Sequence, residues 1–339
     1  MEGLSSQRDL VQGIKLFSAQ RHIPVKVFAS HREARDDILS VADHALIEPA
    51  LASKRLAFIT ETADKYNIRA IHAGKNTLWF EEQRSQIESC GISLTTGAYG
   101  SDSLNIADDK VCFAELMQQH QLPVVPSLRI TSLDALEQAL SVPAFGDRPL
   151  CIKPVTGIYG NGFWRLDKTA SLQTLINQPE RRLVTPQFYL QAAASQPSFS
   201  PLVLMPYLPG PEYSVDILVS GGTVLAAVAR RKVGALQYIE NEGPAWQLAC
   251  DCARLLKADG LINVQTRHDE EGNPLLLEAN LRPSGGIGYT LHSGINLAGL
   301  YAFHKLALMT SDEVRHYAAK HFVAATVKPI VSAIAYHEK

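Results

Sequence analysis

The first hundred residues alternate short apolar runs with amphipathic segments. Apolar runs predict strands at residues 24–29, 45–47 and 69–73. The segments after them predict helices at residues 31–39, 51–66 and 78–89. In the middle segment, apolar side chains recur at steps of three or four residues, at Leu56, Ile59, Ala63 and Tyr66. Strands that alternate with helices are typical of a parallel sheet, so we predict a small parallel α/β domain over residues 1–107.

Later segments have a different pattern. Residues 191–201 are rich in Ala, Ser, Gln and Pro and predict a polar connection. Residues 224–229 predict a strand, and residues 243–257 are apolar at helical spacing and predict a helix. Residues 311–339 carry no pattern that points to a function.

The most informative stretch is residues 261–286, where two apolar runs flank a polar turn at residues 269–274. This arrangement predicts a hairpin. Side chains alternate faces along a strand, so Glu278 and Asn280 share one face. If the hairpin is symmetric about the bond between residues 271 and 272, Gln265 lies opposite Glu278, with Cβ atoms about 4.5–5.5 Å apart.

One acid and two or three amides would then converge, with Asn263 as the third amide. Mg²⁺ prefers one or two carboxylates together with substrate phosphates, so the patch predicts a magnesium site, with Mn²⁺ as an alternative ion. Arg282 follows two residues after Asn280 on the same face and suits a phosphate or carboxylate. The alternative interpretation is a surface hairpin with a polar face.

A glycine-rich segment follows another short apolar run. Lys153 precedes Gly157, Gly160 and Gly162, and such glycines let backbone N–H groups approach a phosphate. The segment is not a Walker A loop, because Gly-Lys-Ser/Thr is missing. An ordinary glycine-rich hairpin has a similar pattern.

Two further segments complete the set of candidate sites. Residues 202–216 consist of an apolar run, a Pro/Gly turn and a second apolar run, and an ordinary β-turn is the alternative interpretation. The basic run Arg230-Arg231-Lys232 follows the predicted strand at 224–229. Alternation allows either Arg230 and Lys232, or Arg231 alone, to face inward. A solvated charge run is the alternative here.

Taken together and in this order, these segments resemble the ATP-grasp superfamily. The resemblance is closest to the branch with carbamoyl-phosphate synthetase, biotin carboxylase and D-alanine–D-alanine ligase. The matching motifs are Asp109-Lys110-Val111, Lys153-Pro154, Met205 to Leu208, Gly210-Pro211-Glu212, Asn263-Val264-Gln265 and Glu278 to Pro283.

The resemblance implies a fold that combines α/β and α+β parts. A parallel α/β pre-ATP-grasp domain at residues 1–107 would precede a two-lobed ATP-grasp fold. The first lobe would span residues 108–195 and the second residues 196–339, with ATP between them.

The resemblance also implies roles for individual residues. Lys110 and Lys153 would neutralise the phosphates, beneath a loop that contains Gly157, Gly160 and Gly162. Adenine would contact the backbone of a hinge formed by Met205, Pro206, Tyr207 and Leu208, and Glu212 would bind the ribose. The metal ligands would be Gln265, Glu278 and Asn280, and the catalytic cations Arg282, Lys232 and Arg230.

Three departures from the family pattern affect this assignment. Met205-Pro206 replaces a frequent Glu-Lys, which removes a carboxylate but keeps the backbone carbonyl. Gln265 stands where relatives carry an acid. Ile158 and Tyr159 interrupt the glycine loop, so not every backbone N–H is expected to cradle phosphate.

The reaction that the resemblance implies is ATP-dependent ligation of a small-molecule carboxylate to an amine through an acyl-phosphate. A phosphotransferase or carboxyphosphate-forming enzyme on the same fold, and a nucleotide-binding regulatory protein, are the alternatives. The reaction asks mainly for positioning and charge stabilisation, so no acid–base triad is expected.

Composition agrees with a small-molecule enzyme. The 339 residues carry a net charge of −2, which gives no reason to expect nucleic-acid or membrane partners. No apolar run approaches the roughly 18 residues of a membrane span, and no signal peptide is evident, so we expect a cytoplasmic protein. The five cysteines form no metal-binding pair. A homodimer is a further expectation.

Overall fold

The computed structural model describes residues 6–74, 76–142, 144–157 and 160–330. The chain forms two compact units, each built from more than one segment. Unit 1 contains Met1–Asn105, Pro211–Thr266 and Ala279–Lys339, and unit 2 contains Ile106–Gly210 and Arg267–Glu278. The predicted division at residues 107 and 195 stays a prediction.

Unit 1 begins with alternating helices and strands. In chain order these are α1 (Gln7–Arg21), β1 (Phe28–His31), α2 (Asp36–Leu39), β2 (His44–Ile47), α3 (Arg55–Tyr66), β3 (Ala70–His72), α4 (Thr77–Glu82), α5 (Arg84–Glu88), β4 (Ser93–Thr95) and β5 (Gly97–Ala98). A further helix, α6 (Ser101–Asp108), runs across the division.

The predicted parallel pairing is confirmed, since β1 pairs with β2 and β3 pairs with β4 in parallel. The sequence prediction missed α1, although Leu10, Ile14 and Phe17 of this helix recur at helical spacing. The helix predicted at 31–39 is confined to α2. The His31 ring accepts the Glu33 N–H at 2.9 Å, and this local bond competes with helical bonding.

Unit 2 has its own sheet and helices. In chain order these are α7 (Lys110–Gln119), β6 (Leu128–Ile130), α8 (Leu133–Ser141), β7 (Leu150–Pro154), β8 (Trp164–Leu166), α9 (Leu172–Asn177), β9 (Leu183–Val184), α10 (Pro186–Ala194) and β10 (Leu202–Pro206). The sheet order is β6-β10-β7-β8-β9.

Alternation along these strands gives the unit 2 sheet two apolar faces. Ile152 and Leu204 pack with Leu136 of α8, whereas their neighbours Cys151 and Met205 join a cluster that includes Val111 of α7. The α7 helix and the predicted hinge residues therefore lie on the same face of the sheet.

The remaining elements include a large sheet of unit 1, and Arg267–Glu278 of its hairpin strands belong to unit 2. They are β11 (Glu212–Ser220), β12 (Thr223–Val233), β13 (Leu236–Glu240), α11 (Pro244–Leu255), β14 (Ala258–His268), β15 (Pro274–Asn280), α12 (Leu297–Lys305), α13 (Ser311–His321) and β16 (Ala325–Val327). Strands β14, β11, β12, β13 and β16 are neighbours in that order, and β5 pairs with β14. The predicted helix at 243–257 and both hairpin strands are confirmed.

Helix α1 packs directly against α12. A Cβ on Gly299 would lie 2.2 Å from the Cβ of Phe17, so only glycine permits this approach. The Asn296 side chain donates to the Gly13 carbonyl at 2.7 Å and completes the contact. The start of the chain is thereby joined to a core formed largely by C-terminal residues.

The hairpin turn differs from the symmetric one predicted. The Asp269 N–H donates to the Asn273 carbonyl at 3.0 Å, and the Gly272 N–H donates to the Asp269 carbonyl at 3.3 Å. Gly272 has a φ of +85°, as in three-residue hairpin loops. The turn is therefore centred on Glu271, and the premise that sets Gln265 directly opposite Glu278 is wrong.

Candidate active site

The glycine loop of unit 2 is tied to the start of α7. Asp109 caps the helix, because its carboxylate accepts the N–H groups of Val111 and Cys112. Lys110 is 7% exposed, and its Nζ donates to the carbonyls of Val155 and Gly157 at 3.3 and 3.2 Å. Burial lowers the pKa of Lys110. This lysine therefore holds the first part of the loop.

The loop glycines fit a close turn beneath β7. Gly157, Gly160 and Gly162 all have positive φ. At Gly162 an added Cβ would also lie 2.7 Å from the Cδ of Pro154. The two residues that interrupt the glycines, Ile158 and Tyr159, lie outside the described residues.

Lys153 and Glu278 come together within unit 2. Lys153 lies on β7, and its Nζ is 3.7 Å from Oε2 of Glu278 on β15. The side chains are 13% and 23% exposed, so both remain partly accessible. Two backbone hydrogen bonds hold β15 in this position. The Leu276 N–H donates to the Pro123 carbonyl at 3.0 Å, and the Val125 N–H donates to the Leu276 carbonyl at 3.1 Å. A lysine suited to bind a phosphate and a carboxylate suited to bind a metal ion thus lie side by side.

The predicted hinge lies on the same face of the unit 2 sheet. Met205 is buried in the cluster with Cys151 and Val111, and Pro206 pairs with Leu150. Burial raises the pKa of the Cys151 thiol to about 11, so this thiol is neutral, and its Sγ donates a weak hydrogen bond to the Pro206 carbonyl at 3.8 Å. The Tyr207 N–H is taken by the Pro149 carbonyl at 2.7 Å. The next backbone donor along the chain is the N–H of Leu208.

Two arginines that the sequence analysis missed flank the hinge tyrosine. The guanidinium carbons of Arg165 and Arg267 lie 4.3 and 5.2 Å from the centroid of the Tyr207 ring. Arg267 also donates to the Tyr207 hydroxyl at 3.3 Å and to the Gly210 carbonyl at 3.1 Å. Both are isolated arginines on strands β8 and β14, so no local motif distinguishes them.

In unit 1, Arg282 is oriented by its own strand segment. Its Nη2 donates to Oδ1 of Asn280 at 3.0 Å, which agrees with the prediction that the two share a face. Gln265, on β14, is half-buried. In the described part of the chain, no three His, Cys, Asp or Glu side chains come together as a metal site. Any metal here would rest on one carboxylate and amides.

Arg230 is part of a buried polar network. It is 3% exposed, and all three nitrogens of its guanidinium donate hydrogen bonds. The acceptors, at 2.8–2.9 Å, are Asp216, Gln237, Ser214 and Ser284. A Cβ on Gly286 would lie 2.4 Å from Nη1, so the loop after Arg282 closes directly over this guanidinium.

The expected role of Arg230 as a catalytic cation stays a prediction. Four of its hydrogen bonds lie inside unit 1, and the bond to Ser284 joins the guanidinium to the loop at residues 284–288. Asn263, expected to contribute to the metal patch, belongs to the same network. Its amide donates to Ser214 and Asp216, both at 2.9 Å.

The structure also resolves the alternation of the basic run. Lys232 donates to Glu212, its direct partner across β11 and β12. Arg231 has the opposite orientation, pairs with Glu240 at 2.9 Å and stacks on Tyr238. The predicted ribose acid Glu212 and the predicted catalytic Lys232 are thus joined on the face that also carries Arg230.

Comparisons with known proteins agree with this architecture. Residues 198–329 match a family model described as ATP-grasp in the biosynthetic pathway with Ter operon. The carbamoyl phosphate synthase large chain of Pyrococcus furiosus is 23% identical over 232 residues, which make up 64% of this chain and 20% of that relative. The chain therefore spans about a fifth of the length of this relative.

Solved structures share the fold over most of the chain. The L-amino acid ligase from Bacillus licheniformis has a TM-score of 0.61 at 14% identity. The match covers 90% of this chain and 73% of the ligase chain. The biotin carboxylase domain of Hydrogenobacter thermophilus 2-oxoglutarate carboxylase, in complex with MgADP, ADP and bicarbonate, has a TM-score of 0.55 at 17% identity. This match covers 93% of this chain and 68% of the carboxylase chain.

Among the described residues, no helix is both long and apolar enough to cross a membrane. The predicted combination of α/β and α+β parts is confirmed by the shared fold. The chain thus shares the ATP-grasp fold, and residues 198–329 match an ATP-grasp family model.

Proposed function

We propose that the protein is an ATP-dependent ligase that joins a small-molecule carboxylate to an amine through an acyl-phosphate. The observation that carries the proposal is the pair formed by Lys153 and Glu278 at 3.7 Å. A cation for a phosphate and an anion for Mg²⁺ are adjacent on one side of the unit 2 sheet. The match of residues 198–329 to an ATP-grasp family model supports this interpretation.

The nucleotide would be held mainly by unit 2. Lys153 would neutralise phosphate charge. Lys110, bonded to the carbonyls of Val155 and Gly157, would keep the glycine loop in register. The hinge backbone from Pro206 to Leu208 would receive adenine, with the Tyr207 ring held by Arg165 and Arg267. That Glu212 binds the ribose stays a prediction.

Mg²⁺ would be held by Glu278 and Asn280, which are two residues apart on β15, and Gln265 stays a prediction as a third ligand. The donor chemistry fits, because one carboxylate and amide oxygens leave coordination positions for water and substrate phosphates. When bound, the ion would balance the negative charge that develops during phosphoryl transfer.

The reaction places modest demands on side chains. A substrate carboxylate oxygen attacks the γ-phosphorus of ATP, which gives an acyl-phosphate and ADP. An amine nitrogen then attacks the acyl carbon, releases phosphate and forms an amide. Arg282 and Lys232 are the cations proposed to face the reacting phosphate and carboxylate, and Arg230 would hold the adjoining loop in place.

A product assay tests this reaction. Candidate carboxylates and amines are screened in pairs while ADP and free phosphate are measured. A ligase releases both products only when both substrates are present. Phosphate retained on an acceptor would indicate a phosphotransferase, and saturable nucleotide binding without turnover would indicate a regulatory protein.

We expect ATP to stabilise the protein against heat, with the full effect only when Mg²⁺ is present. In the proposed site Lys153 binds the phosphates and Glu278 binds the ion, so the full gain in stability needs both ligands. At a hundredfold excess over Kd, the expected gain in unfolding free energy is about 2.7 kcal/mol. Thermal melts with ATP, Mg²⁺, both and neither measure it. An unchanged melting temperature at millimolar Mg·ATP would contradict nucleotide binding.

We also expect ATP to outcompete GTP through backbone contacts at the hinge. Pro206 offers a carbonyl and no N–H, which suits the adenine amino group, whereas guanine would oppose it with a second acceptor. A buried unpaired polar group costs about 1–3 kcal/mol, or roughly tenfold or more in affinity. Competitive titration measures the preference.

Met205→Leu is the matched control for the hinge, because Met205 is buried among apolar neighbours and the swap conserves its volume. The variant should keep the preference for ATP. If ATP and GTP bind equally to the wild type, the segment from Met205 to Leu208 is not the adenine hinge.

A further inference from the structure

A large apolar cavity lies in the N-terminal part of unit 1. Its volume is about 510 Å³, within the range of small-molecule sites. Apolar and aromatic side chains dominate its lining, among them Val27, Phe28, Ile59, Tyr66, Ile71 and Phe80. None of these residues belongs to the proposed active site.

The cavity occurs where the parallel sheet is interrupted. Residues of β1 and β3 both line it. Among the described residues, β1 pairs only with β2, and β3 pairs only with β4. The cavity therefore occupies a break in the sheet and is more than a groove between surface side chains.

Three polar side chains meet at one side of this cavity. His72 and Tyr301 line it, and their rings are 5.3 Å apart in an edge-to-face arrangement. Thr95 is the direct partner of His72 across β3 and β4. A Cβ placed on Gly260 would lie 2.2 Å from Cγ2 of Thr95 and 3.7 Å from Cε2 of Tyr301.

Each of the three has a buried polar atom without a hydrogen bond. Within the described residues these atoms are Nδ1 of His72, Oγ1 of Thr95 and the hydroxyl of Tyr301. Thr95 is 1% exposed and Tyr301 is 5% exposed. Buried polar groups in folded proteins nearly always have a partner. Three such atoms together offer hydrogen bonds that a polar group of a ligand can complete.

The hydroxyls of Thr95 and Tyr301 cannot provide all the hydrogen bonds that the cluster needs. Burial raises the pKa of Tyr301, and a side-chain hydrogen bond with Thr95 acts in the opposite direction. When the two hydroxyls bond to each other, one hydroxyl hydrogen and Nδ1 of His72 still lack partners among the described residues. An external hydroxyl group could supply both an acceptor and a donor.

The local charge favours a neutral partner. Burial lowers the pKa of His72 to about 4, so its ring is uncharged at neutral pH. The nearby Asp259 is already paired with Lys305 at 2.7 Å. A threonine, a tyrosine and a neutral histidine can each donate or accept a hydrogen bond. A charged group would find no counter-ion among them.

We propose that this cavity is a second small-molecule site, separate from the nucleotide residues. Its ligand is an uncharged, largely apolar molecule with one hydroxyl group. The apolar body fills the break between β1 and β3, and the hydroxyl hydrogen-bonds within the cluster of His72, Thr95 and Tyr301.

Three probes of similar shape test the chemistry: 4-ethylphenol, ethylbenzene and 4-ethylbenzoate. Binding is followed on the full chain by chemical-shift titration, without nucleotide. We expect saturable binding of 4-ethylphenol and binding of ethylbenzene weaker by about tenfold, since one buried hydrogen bond is lost. The benzoate should bind more weakly than the phenol because its charge must be desolvated.

Two variants locate the site. Tyr301→Phe should weaken 4-ethylphenol to the level of ethylbenzene and leave ethylbenzene unchanged. Ala70→Leu, which fills space in the cavity lining, should weaken both probes. Tyr189→Phe, at a half-buried tyrosine of unit 2, is the matched control and should change neither. Thermal melts confirm that each variant is folded.

Three results would overturn the proposal: no saturable binding of 4-ethylphenol, tightest binding by the benzoate, or an unchanged preference in Tyr301→Phe. The readout is binding and not turnover. Failure here therefore leaves the proposed ligase activity untouched, and failure of the ligase assay leaves this site untouched.

Discussion

Glu278→Gln is expected to abolish turnover while the free protein keeps a melting temperature close to that of the wild type. Glu278 is the single carboxylate in the proposed metal set, and the substitution removes its charge but keeps its shape. Loss of one supporting group beside a metal already costs about 10–100-fold, so loss of the anionic ligand should cost at least that. Stability should change little, because the pair with Lys153 is partly exposed and worth about 0–1 kcal/mol.

Glu271→Gln is the matched control for this experiment. It removes the same charge from the same hairpin, at an exposed position in the turn. Its turnover and its magnesium dependence should equal those of the wild type. Unchanged turnover in Glu278→Gln at saturating Mg²⁺ would place the metal elsewhere. A large fall in melting temperature without ligand would instead assign Glu278 a structural role.

The second large effect concerns stability. Arg230→Met should lower the free energy of unfolding by about 3–5 kcal/mol, because it leaves the fully buried Asp216 without a counter-ion. Ser284 would lose the donor from Arg230 in the same step, and Ser214 would keep only the donor from Asn263. The fall is measured by denaturant unfolding with a two-state fit, and by the melting temperature.

The neighbouring Arg231→Met is the control. Its pair with Glu240 is 30% exposed on each side, so its loss should cost only about 0–1 kcal/mol. The double variant Arg230→Met, Asp216→Leu should recover much of the loss, since an apolar pair can replace a buried ion pair. Equal effects of Arg230→Met and Arg231→Met would contradict the buried network.

Local patterns predicted much of the secondary structure. The period of the apolar residues predicted α3, α11 and the parallel pairing of the N-terminal strands. A polar turn between two apolar runs predicted the β14–β15 hairpin. Helix α1 carries a similar apolar period, so the signal for this helix is present in the sequence although the prediction missed it.

The hairpin register shows where local patterns fail. A symmetric turn and a three-residue turn fit the same letters, and only the bond from Asp269 to Asn273 distinguishes them. Because side chains alternate, a shift of one residue changes which of them share a face. For this reason Gln265 is less secure as a ligand than Asn280, whose relation to Glu278 depends only on spacing within one strand.

The order of the motifs along the chain was enough to predict the ATP-grasp fold and the candidate nucleotide residues. The hydrogen-bond partners of the cations are visible only in the folded structure. Alternation placed Arg230 and Lys232 on one face, but only the folded structure shows Arg230 buried among Asp216, Ser214 and Ser284. Asp216 lies 14 residues from Arg230 in the chain and Ser284 lies 54 residues away, so no short window of sequence contains the network. The same holds for the cluster of His72, Thr95 and Tyr301, because burial depends on contacts between distant segments.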